Sequence, residues 1–568
     1  MTDAEEYNIY RSIDRGTYGF LTSAKTTSYV DDGSIDPDTE DTVPEYQSPF
    51  KAGDFPRVSG FFQQRQFYGS TTNQPLKFWA SVTGDFENFS RSSPIKDDDG
   101  FEATIAGQRV NEIRAFSSLE DLVILTSGSA WLVSGDSNGV IKPNAVNLRR
   151  LSYDGAAAVE PVTVADSIIF SQERGSLVRE FGFNLSDGGA SGFVGRDLTV
   201  WSPHLVDGYT ISEWAYGATP HPIVWAVRSD GDLLGLTYVK EQDVWAWHRH
   251  DTGGSLALFQ SVAVIPEGGV DVAYFIVRRV ISGVANYYIE RLVPRTVGQA
   301  DYDQREDTVF VDSALSYIGT SLDSTGATSA ATMTLSGGST WAAGESLTLT
   351  ASLSIIAGTE DGWRLKDALG NEVEVTYVSG SGTSCTVTAD QAVPALLQGA
   401  AADSWVLMVD SLSGLDHLEA KTVTYLMDAE TTGTATVSSG AITLPSKAGV
   451  VWVGMPIDYD LVSLDADIVS QTDSVFGLNK RISGATLLFE DTLGASVGRT
   501  IATAQQLKET AAEAAAYSDP SPPDLLTKKV DVNWGGQYDR DGRFAVTQTQ
   551  PLPVTVLSWI PRVEFGGK

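Results

Sequence analysis

The chain has 568 residues with 73 acidic and 39 basic side chains, so its formal net charge is −34 at pH 7. Such a surface repels nucleic acid, because non-specific DNA binding requires Lys and Arg to neutralise phosphates. Ordinary DNA binding is therefore disfavoured, and the acidity serves either solubility or a repulsive lining along which DNA passes. The sequence contains no apolar run long enough to span a bilayer and no secretory-signal pattern at its start. The single cysteine, Cys385, cannot form an internal disulfide, which fits synthesis in a reducing compartment.

The first 50 residues read as the end of a β module followed by an acidic loop. Tyr7–Ser12 alternates as a strand, Tyr18–Leu21 is its expected partner, and Asp31–Pro49 is polar. The loop has acidic residues at alternate positions: Asp36, Asp38 and Glu40. It lacks the central Gly and distal Glu of an EF-hand, so a solvated loop is preferred over a calcium site.

From Phe55 to about Pro294 the chain repeats an apolar strand, a short turn and a second strand with an aromatic residue. The repeats start roughly 45–55 residues apart, which is the period of propeller blades. In the clearest repeat we predict the strands Ile223–Arg228, Leu233–Lys240 and Val244–His250, with an Asp-Gly hairpin between the first two. The first strand is apolar without alternation, so it should be covered on both faces. The fold class predicted is all-β, a β-propeller platform with little helix, and stacked sandwiches are the alternative.

For the remaining chain we predict an inserted β-sandwich-like domain, followed by strands that belong again to the main body. Residues 316–412 are rich in Ser, Thr, Gly and Ala, and Trp405–Val409 is expected to return to the body. A helix is predicted over Ile501–Tyr517, because its composition favours helix and prolines follow it. The final stretch, Phe544–Phe565, is expected to close the ring against an early strand. The predicted domains are residues 1–50 (end of an N-terminal β module and acidic loop), 51–315 (propeller blades), 316–412 (inserted Ser/Thr/Gly-rich β domain) and 413–568 (remaining propeller and further strands with one short helix).

Sequence patterns that could carry chemistry are weak. Gly494–Gly498 matches a nucleophile elbow around Ser496, but the pattern needs a helix and a partner His, so a turn is preferred. A hydrolase at this position would lose its activity in Ser496→Ala. His248 and His250 share one face of a strand, and stacking or hydrogen bonding is preferred over a metal site, since no Cys/His cluster accompanies them.

Other charged groups are equally unspecific. Asp97-Asp98-Asp99-Gly100 is predicted to be an exposed turn. Three pairs of basic residues are dispersed along the chain, and the sequence alone does not show whether they converge in space: Arg149-Arg150, Arg278-Arg279 and Lys528-Lys529. We therefore predict no catalytic, cofactor-binding or metal-binding residue, no cofactor and no enzymatic activity. The sequence assigns no residue to the lining of a DNA channel.

Several segments together carry a resemblance to a known family. The N-terminal ones are Phe55-Pro56-Arg57-Val58, Phe61-Phe62-Gln63-Gln64-Arg65-Gln66, Asn73-Gln74-Pro75, Trp79-Ala80-Ser81 and Thr83-Gly84-Asp85-Phe86-Glu87-Asn88-Phe89. The later ones are Leu125-Thr126-Ser127, Val178-Arg179-Glu180-Phe181, Ser202-Pro203-His204-Leu205, Asp230-Gly231, Ala246-Trp247-His248-Arg249-His250 and Leu412-Ser413-Gly414-Leu415-Asp416-His417-Leu418-Glu419. Across most of residues 50–500 the chain resembles the tail nozzle proteins, or tail tubular protein B-like proteins, of short-tailed bacteriophages.

The resemblance implies a structural virion protein with a β-propeller platform. Such a protein forms a homo-hexameric ring below the tail tubular protein A-like adaptor, contacts tail fibres or spikes, continues the DNA channel, retains the packaged genome and releases it on infection. Its place would be the virion tail, after synthesis in the host cytoplasm. The chain departs from the pattern in its 316–412 insertion and in an N-terminus that starts within a module.

A second hypothesis from a different class is a glycan-binding or glycan-cleaving β-propeller of a phage tail or cell surface. The 13 Trp and 20 Tyr residues could supply stacking surfaces for sugars, although aromatic residues also make up much of the core of β structures.

Overall fold

The computed structural model describes residues 7–13, 18–43, 49–92, 95–107, 111–174, 176–185, 191–254, 256–293, 309–322, 325–466, 478–507 and 525–566. These residues form two compact units, Met1–His250 with Phe259–Tyr274, and Asp251–Leu258 with Phe275–Lys568. In the described part the helices are 3-10 turns: Pro203–Leu205, Lys240–Gln242, Ala395–Leu397, Asp416–Leu418 and Ile501–Thr503. No helix among these residues is long and apolar enough to cross a membrane.

The first unit begins with a small sheet and continues with four antiparallel sheets of four strands each. The strands of the small sheet are β1 (Tyr7–Ser12), β2 (Tyr18–Ala24) and β3 (Asp38–Thr42). The next two sheets contain β4 (Val58–Phe62), β5 (Arg65–Gly69), β6 (Lys77–Ala80), β7 (Phe101–Thr104), β8 (Ile113–Ser118), β9 (Leu122–Thr126), β10 (Ser129–Ser134) and β11 (Asn147–Ser152). The last two contain β12 (Val162–Val164), β13 (Ser167–Ser171), β14 (Val178–Leu185), β15 (Ser191–Asp197), β16 (Ile211–Gly217), β17 (Ile223–Arg228), β18 (Leu233–Val239) and β19 (Val244–His250).

These four sheets are consecutive meanders in which each strand pairs with its neighbour in sequence. Apolar side chains from each sheet share a core with the next one: Phe67 and Phe116 in one core, Leu125 and Phe170 in the second. A third core joins the sheet of β12–β15 to that of β16–β19. Consecutive four-stranded meanders that pack face to face are the units of a propeller. The predicted fold class, all-β on propeller-type sheets with little helix, is confirmed.

The strands that follow are arranged less regularly. A three-stranded sheet contains β20 (Leu258–Glu267), β21 (Val270–Ile281) and β22 (Val284–Arg291), and β23 (Asp312–Ile318) comes next. The insertion region contributes β24 (Met333–Ser336), β25 (Ser346–Ala351), β26 (Gly362–Lys366), β27 (Glu372–Ser381), β28 (Ser384–Ala389) and β29 (Ser404–Ser413). Then follow β30 (Thr422–Met427), β31 (Thr431–Thr436), β32 (Ala441–Ala448), β33 (Val450–Met455) and β34 (Tyr459–Val462).

The final strands are β35 (Lys480–Glu490), β36 (Ser496–Gly498), β37 (Gln505–Gln506), β38 (Lys529–Asn533), β39 (Ala545–Gln548) and β40 (Thr555–Phe565). The sheet orders are β23-β33-β30-β31, β34-β39-β36-β37 and β38-β35-β40. The last two of these sheets share one apolar core, to which Phe489 and Phe544 both contribute.

Six strands of the insertion region, β24–β29, form a seven-stranded sheet together with β32, in the order β24-β25-β28-β27-β26-β29-β32, and the insertion has an apolar core of its own. Trp405 belongs to that core, and its indole donates to the carbonyl of Ala331 at 2.8 Å. The prediction that Trp405–Val409 already returns to the main body is therefore wrong. β29 first pairs with β26 inside the insertion, and only its C-terminal half pairs with β32.

Two further local predictions are wrong, and part of the acidic loop is a strand. The helix predicted over Ile501–Tyr517 is wrong for residues 501–507, which form one 3-10 turn and strand β37, and residues 508–517 lie outside the described residues. The last strand, β40, pairs with β35 and not with an early strand. The predicted Asp31–Pro49 loop contains β3, which pairs with β2. In these segments the conformation depends on pairing with other strands, which the local composition does not indicate.

Candidate functional site

The most chemically distinctive cluster lies on one face of the sheet β16–β19. Trp225, Gly235 and His248 stand directly opposite one another on three adjacent strands. His250 is two residues after His248 and so lies on the same face, because side chains alternate along a strand. Gly235 has no side chain, and this leaves the space that the His248 ring occupies over the sheet.

Close contacts hold the two imidazoles together. His248 Nδ1 and His250 Nε2 are 2.6 Å apart, and the ring centroids are separated by 4.8 Å. Both rings meet the indole of Trp225 edge-on, at centroid distances of 5.9 and 5.2 Å. The other nitrogen of His248, Nε2, lies 3.3 Å from the hydroxyl of Thr237. The structure therefore brings the two histidines together by hydrogen bonding and by ring contact, the arrangement that the sequence analysis preferred.

We predict that Gly235→Ala is destabilising because of this contact. A Cβ at position 235 would lie 2.0 Å from Cε1 of His248, so the ring has to leave its place. Overpacking of this kind costs about 1–3 kcal/mol. The check is the urea midpoint of Gly235→Ala alone and in a His248→Ala background, in which the added methyl group has room. Equal losses in the two backgrounds would contradict the explanation.

A second polar cluster is buried in the other unit and centres on Arg279, which is 4% exposed. Its guanidinium makes two bonds of 2.6 Å to Glu290 and lies 3.2 Å from Asp312. It also donates to the carbonyl of Gly253 at 2.8 Å and to the hydroxyl of Thr252 at 2.9 Å. Burial lowers the pKa of Arg279, but the hydrogen bonds and charges of the two carboxylates outweigh burial and raise it overall. The cluster is an internal tie between β21, β22 and β23.

Next to this cluster is a cavity of about 20 Å³ lined by Arg279, His417, Lys421, Met455 and neighbouring backbone. A volume of this size holds about one water molecule. It is too small for an organic substrate.

A larger cleft, of about 340 Å³, lies in the first unit along β1 and β2. Its lining includes Tyr7, Tyr10 and Tyr29 together with Arg11 and Asp31. Arg11 donates to Asp31 at 3.0 Å, so a charged pair lies beside three aromatic rings. Aromatic faces beside hydrogen-bonding groups are the kind of surface on which sugars stack.

The carboxylates of the acidic loop next to this cleft do not converge on a common point, as a calcium site would require. Asp32 accepts from the backbone of Ser34, and Asp38 accepts from that of Glu40, at 2.9 Å in each case. The hydrogen bonds that the Asp32 carboxylate accepts from Ser34 lower its pKa. Asp32 and Asp38 thus cap their own turns, whereas Asp36 lies 3.8 Å from the guanidinium of Arg11. In the part of the chain that the structure describes, no group of three or more His, Cys, Asp or Glu side chains is arranged to hold a metal ion.

Asp97-Asp98-Asp99-Gly100 is a turn as predicted, but only Asp97 and Asp98 are exposed. Asp99 is only 6% exposed and accepts hydrogen bonds from Ser92 and from the backbone of Lys96. The buried Arg65 donates to the carbonyls of Asp97 and Asp99 at 2.8 and 2.6 Å. Burial lowers the pKa of Arg65, and the negative charges of Asp98 and Asp99 offset only part of that shift. The turn is thus anchored to its sheet by an arginine 34 residues away, a contact that no local pattern indicates.

Ser496 lies at the start of strand β36, opposite Thr547 and Gln506. A nucleophile elbow places its serine on a sharp turn that leads at once into a helix, whereas here Ser496 begins a strand that runs to Gly498. The bend in this segment is at Gly494, which has φ +72°. Among the described residues this site therefore lacks the elbow geometry.

The paired basic residues lie in different sheets. Arg149 and Arg150 are on β11, and the Arg150 guanidinium lies 4.1 Å from the ring centroid of Tyr153. Arg278 and Arg279 are on β21, while Lys529 begins β38 directly after Lys528. The Arg279 cluster was missed by sequence reasoning, since only the adjacency of two arginines was visible there.

No protein-family model and no curated protein matches the chain. Among solved structures, one titled "Bacteroides ovatus Xyloglucan PUL GH43B" matches with 10% identity, 80% of this chain and 97% of that chain covered, and a TM-score of 0.15. The prediction that this protein has no enzymatic activity is withdrawn, since the protein in that title is a glycoside hydrolase. A TM-score this low carries no argument about the fold or about site residues, so no catalytic residue follows from it.

Proposed function

We propose that this chain is a tail nozzle protein of a short-tailed bacteriophage, a structural virion protein. In this proposal a homo-hexameric ring lies below the head-to-tail adaptor, continues the DNA channel, retains the packaged genome and releases it on infection. The protein would be made in the host cytoplasm and reside in the virion tail, in contact with the adaptor ring and with tail fibres or spikes.

The observation that carries the proposal is that residues of the family-like segments make internal hydrogen bonds that hold the sheets. Gln63 donates to the carbonyl of Gly139 at 2.7 Å and accepts from the backbone of Ile141 at 2.9 Å, which joins the β4–β5 hairpin to a loop of the next sheet. Arg65 donates to three backbone carbonyls from the buried side of the same hairpin. Both belong to the segment Phe61–Gln66: Gln63 links its sheet to the next one, and Arg65 holds loops of its own sheet.

Later resembling segments also make internal contacts with residues distant in the chain. The carbonyl of Leu205, in the Ser202–Leu205 segment, accepts from the buried Arg228 at 2.7 Å. His417 lies 3.1 Å from the carbonyl of Ser313, and Glu419 accepts from the backbone of Gly440 at 2.7 Å. The family-like positions are therefore scaffold contacts, which supports a structural role.

The charge supports the same proposal. At −34 per chain, a ring of several copies presents a strongly negative wall, along which DNA forms few of the cation–phosphate contacts that retard it. Closed rings arise when a heterologous interface repeats with a rotation that closes. Electrostatics and ring symmetry are thus compatible with a passage for DNA.

The test is the mass of the purified full chain by light scattering, with negative-stain images of the same sample. We expect about six times the chain mass of 60.8 kDa and a six-fold ring with a central opening. The same rings should fail to retain double-stranded DNA in low salt. A strict monomer that stays monomeric when adaptor protein is added, and that is absent from virions, contradicts the proposal.

A glycan-binding or glycan-cleaving propeller is the second candidate, and the cleft along β1 and β2 is the observation that favours it. Tyr29→Ala and Tyr10→Ala should then abolish retention on a glycan array or hydrolysis of a host polysaccharide. Tyr153→Ala is the matched control, because this exposed tyrosine lies outside that cleft. Glycan binding that survives both cleft substitutions excludes this site.

A further inference from the structure

We propose that two exposed surfaces of this chain bind each other between neighbouring copies. The first is the outer face of the β21–β22 hairpin, and the second is the acidic surface of the small sheet β1–β3. The inference rests on the proposed ring, because it assigns the contact by which one subunit binds the next. A contact between two different surfaces is heterologous, which is the type that builds closed rings.

The outer face of the hairpin is apolar and exposed. A two-residue turn with positive φ at both positions joins β21 to β22, so Ile276 stands opposite Ile289. In the same register Arg278 stands opposite Tyr287. Ile289 is 79% exposed, Tyr287 62% and Ile276 39%. Among the described strands β22 ends its sheet, and an exposed apolar edge of this kind is a site at which another chain binds.

The charge of this outer face is positive. Arg278 and Arg291 lie on it, since side chains alternate along a strand. The acidic side chain of β22, Glu290, lies on the opposite face and makes two bonds of 2.6 Å to Arg279. The whole chain has 73 acidic and 39 basic residues, so a basic apolar face is complementary to the acidic surface of another copy.

The counterpart lies in the acidic segment that leads into β3. Residues 30–42 contain six acidic and no basic residues. Val30 is 87% exposed and Ile35 46%, and the side chain of Asp36 is 98% exposed. Arg11 donates to the carbonyl of Ile35 and lies 3.8 Å from Asp36. Exposed apolar and acidic groups are therefore held together beside β1.

The small sheet β1–β3 has little core of its own. Its strands are five to seven residues long, and among its described aliphatic and aromatic side chains only Leu21 is buried. A sheet this small needs packing against another surface to be stable. The outer face of a neighbouring hairpin supplies apolar contacts to it, and the two arginines of that face pair with its carboxylates.

The first test is the mass of Ile289→Asp by light scattering of the full chain, compared with wild type. The substitution should weaken assembly about tenfold or more, because it places a carboxylate at the centre of an apolar face that meets an acidic surface. Leu369→Asp is the matched control, since Leu369 is 77% exposed in a turn of the insertion, and it should assemble as wild type. Urea unfolding of every variant verifies that it is folded.

Charge exchange identifies the surface that the hairpin binds. Arg278→Glu/Arg291→Glu and Asp32→Lys/Asp36→Lys/Glu40→Lys should each assemble less than wild type, since each brings like charges together. Their equimolar mixture should assemble more than either variant alone, because every contact in an alternating ring again joins opposite charges. A folding defect cannot produce this recovery.

Each outcome separates this interface from the proposed ring. Ile289→Asp that assembles as wild type overturns the interface and leaves the ring intact, and so does a mixture that assembles no better than its components. Equal losses in Ile289→Asp and Leu369→Asp also overturn it. A wild-type dimer that Ile289→Asp dissociates supports the interface and contradicts the six-fold ring. A wild-type chain that is monomeric at every concentration contradicts both.

Discussion

Replacement of Arg279 by Met should lower the free energy of unfolding by about 3–5 kcal/mol, because removal of one partner of a buried ion pair leaves the other charge uncompensated. The guanidinium is almost completely enclosed and holds Glu290 and Asp312, whose side chains are only 21% and 19% exposed. Methionine fills much of the volume and supplies no hydrogen-bond donor. The measurement is the urea midpoint of the purified full chain.

Arg278→Met is the matched control for this substitution. Arg278 is the preceding residue on the same strand and makes a 3.2 Å bond to the carbonyl of Leu256, so we expect a loss below about 1 kcal/mol. Arg279→Met/Glu290→Gln should recover part of the stability lost in Arg279→Met, since it removes one of the two unpaired charges. Equal losses for Arg278→Met and Arg279→Met would show that the cluster contributes no special stability.

Replacement of Phe67 by Ala should also cost about 3–5 kcal/mol, the usual range for a buried Phe→Ala substitution. Phe67 is 0% exposed, and its ring lies 6.1–6.3 Å from those of Phe78, Phe101 and Phe116. The residue belongs to the core shared by the first two four-stranded sheets, so the cavity would open between them. Chemical denaturation followed by tryptophan fluorescence measures the loss.

Phe61→Ala provides the comparison within the same hairpin. Phe61 is 63% exposed and meets Phe86 edge-on at 5.3 Å, so it buries little area. We expect its replacement to cost about 1 kcal/mol or less, the value of an aromatic pair. A loss at Phe61 as large as that at Phe67 would mean that the exposed face of the hairpin is covered in solution, for example by another copy of the chain.

Sequence reasoning located the strands of the best repeat almost to the residue. Ile223–Arg228 and Val244–His250 were predicted with the observed bounds, and β18 ends one residue earlier than predicted. The fourth strand of that sheet, β16, was not predicted. Strand runs and Asp-Gly turns are visible because side-chain alternation and turn conformation depend on adjacent residues. Gly231, at φ +92°, has the positive φ that such a turn requires.

The candidate site was only half visible in the sequence. The spacing of His248 and His250 placed both on one face, but nothing local indicated that Trp225 and Gly235 stand beside them. The register of the paired strands places those two residues there. A shift of the register by one residue would move their side chains to the other face of the sheet. A glycine opposite a histidine across a predicted hairpin was the signal that could have revealed the cluster.

By itself the sequence determined the all-β class, the positions of most strands and the strongly acidic charge, since these follow from local pattern and composition. Only the tertiary structure decided that Arg279 is buried between two carboxylates, that Asp99 is enclosed through Arg65, and that β40 pairs with β35. Each of these depends on contacts between residues distant in the chain. The gain in free energy from such contacts exists only after the intervening segment has been closed into a loop, and so no short stretch of sequence contains it.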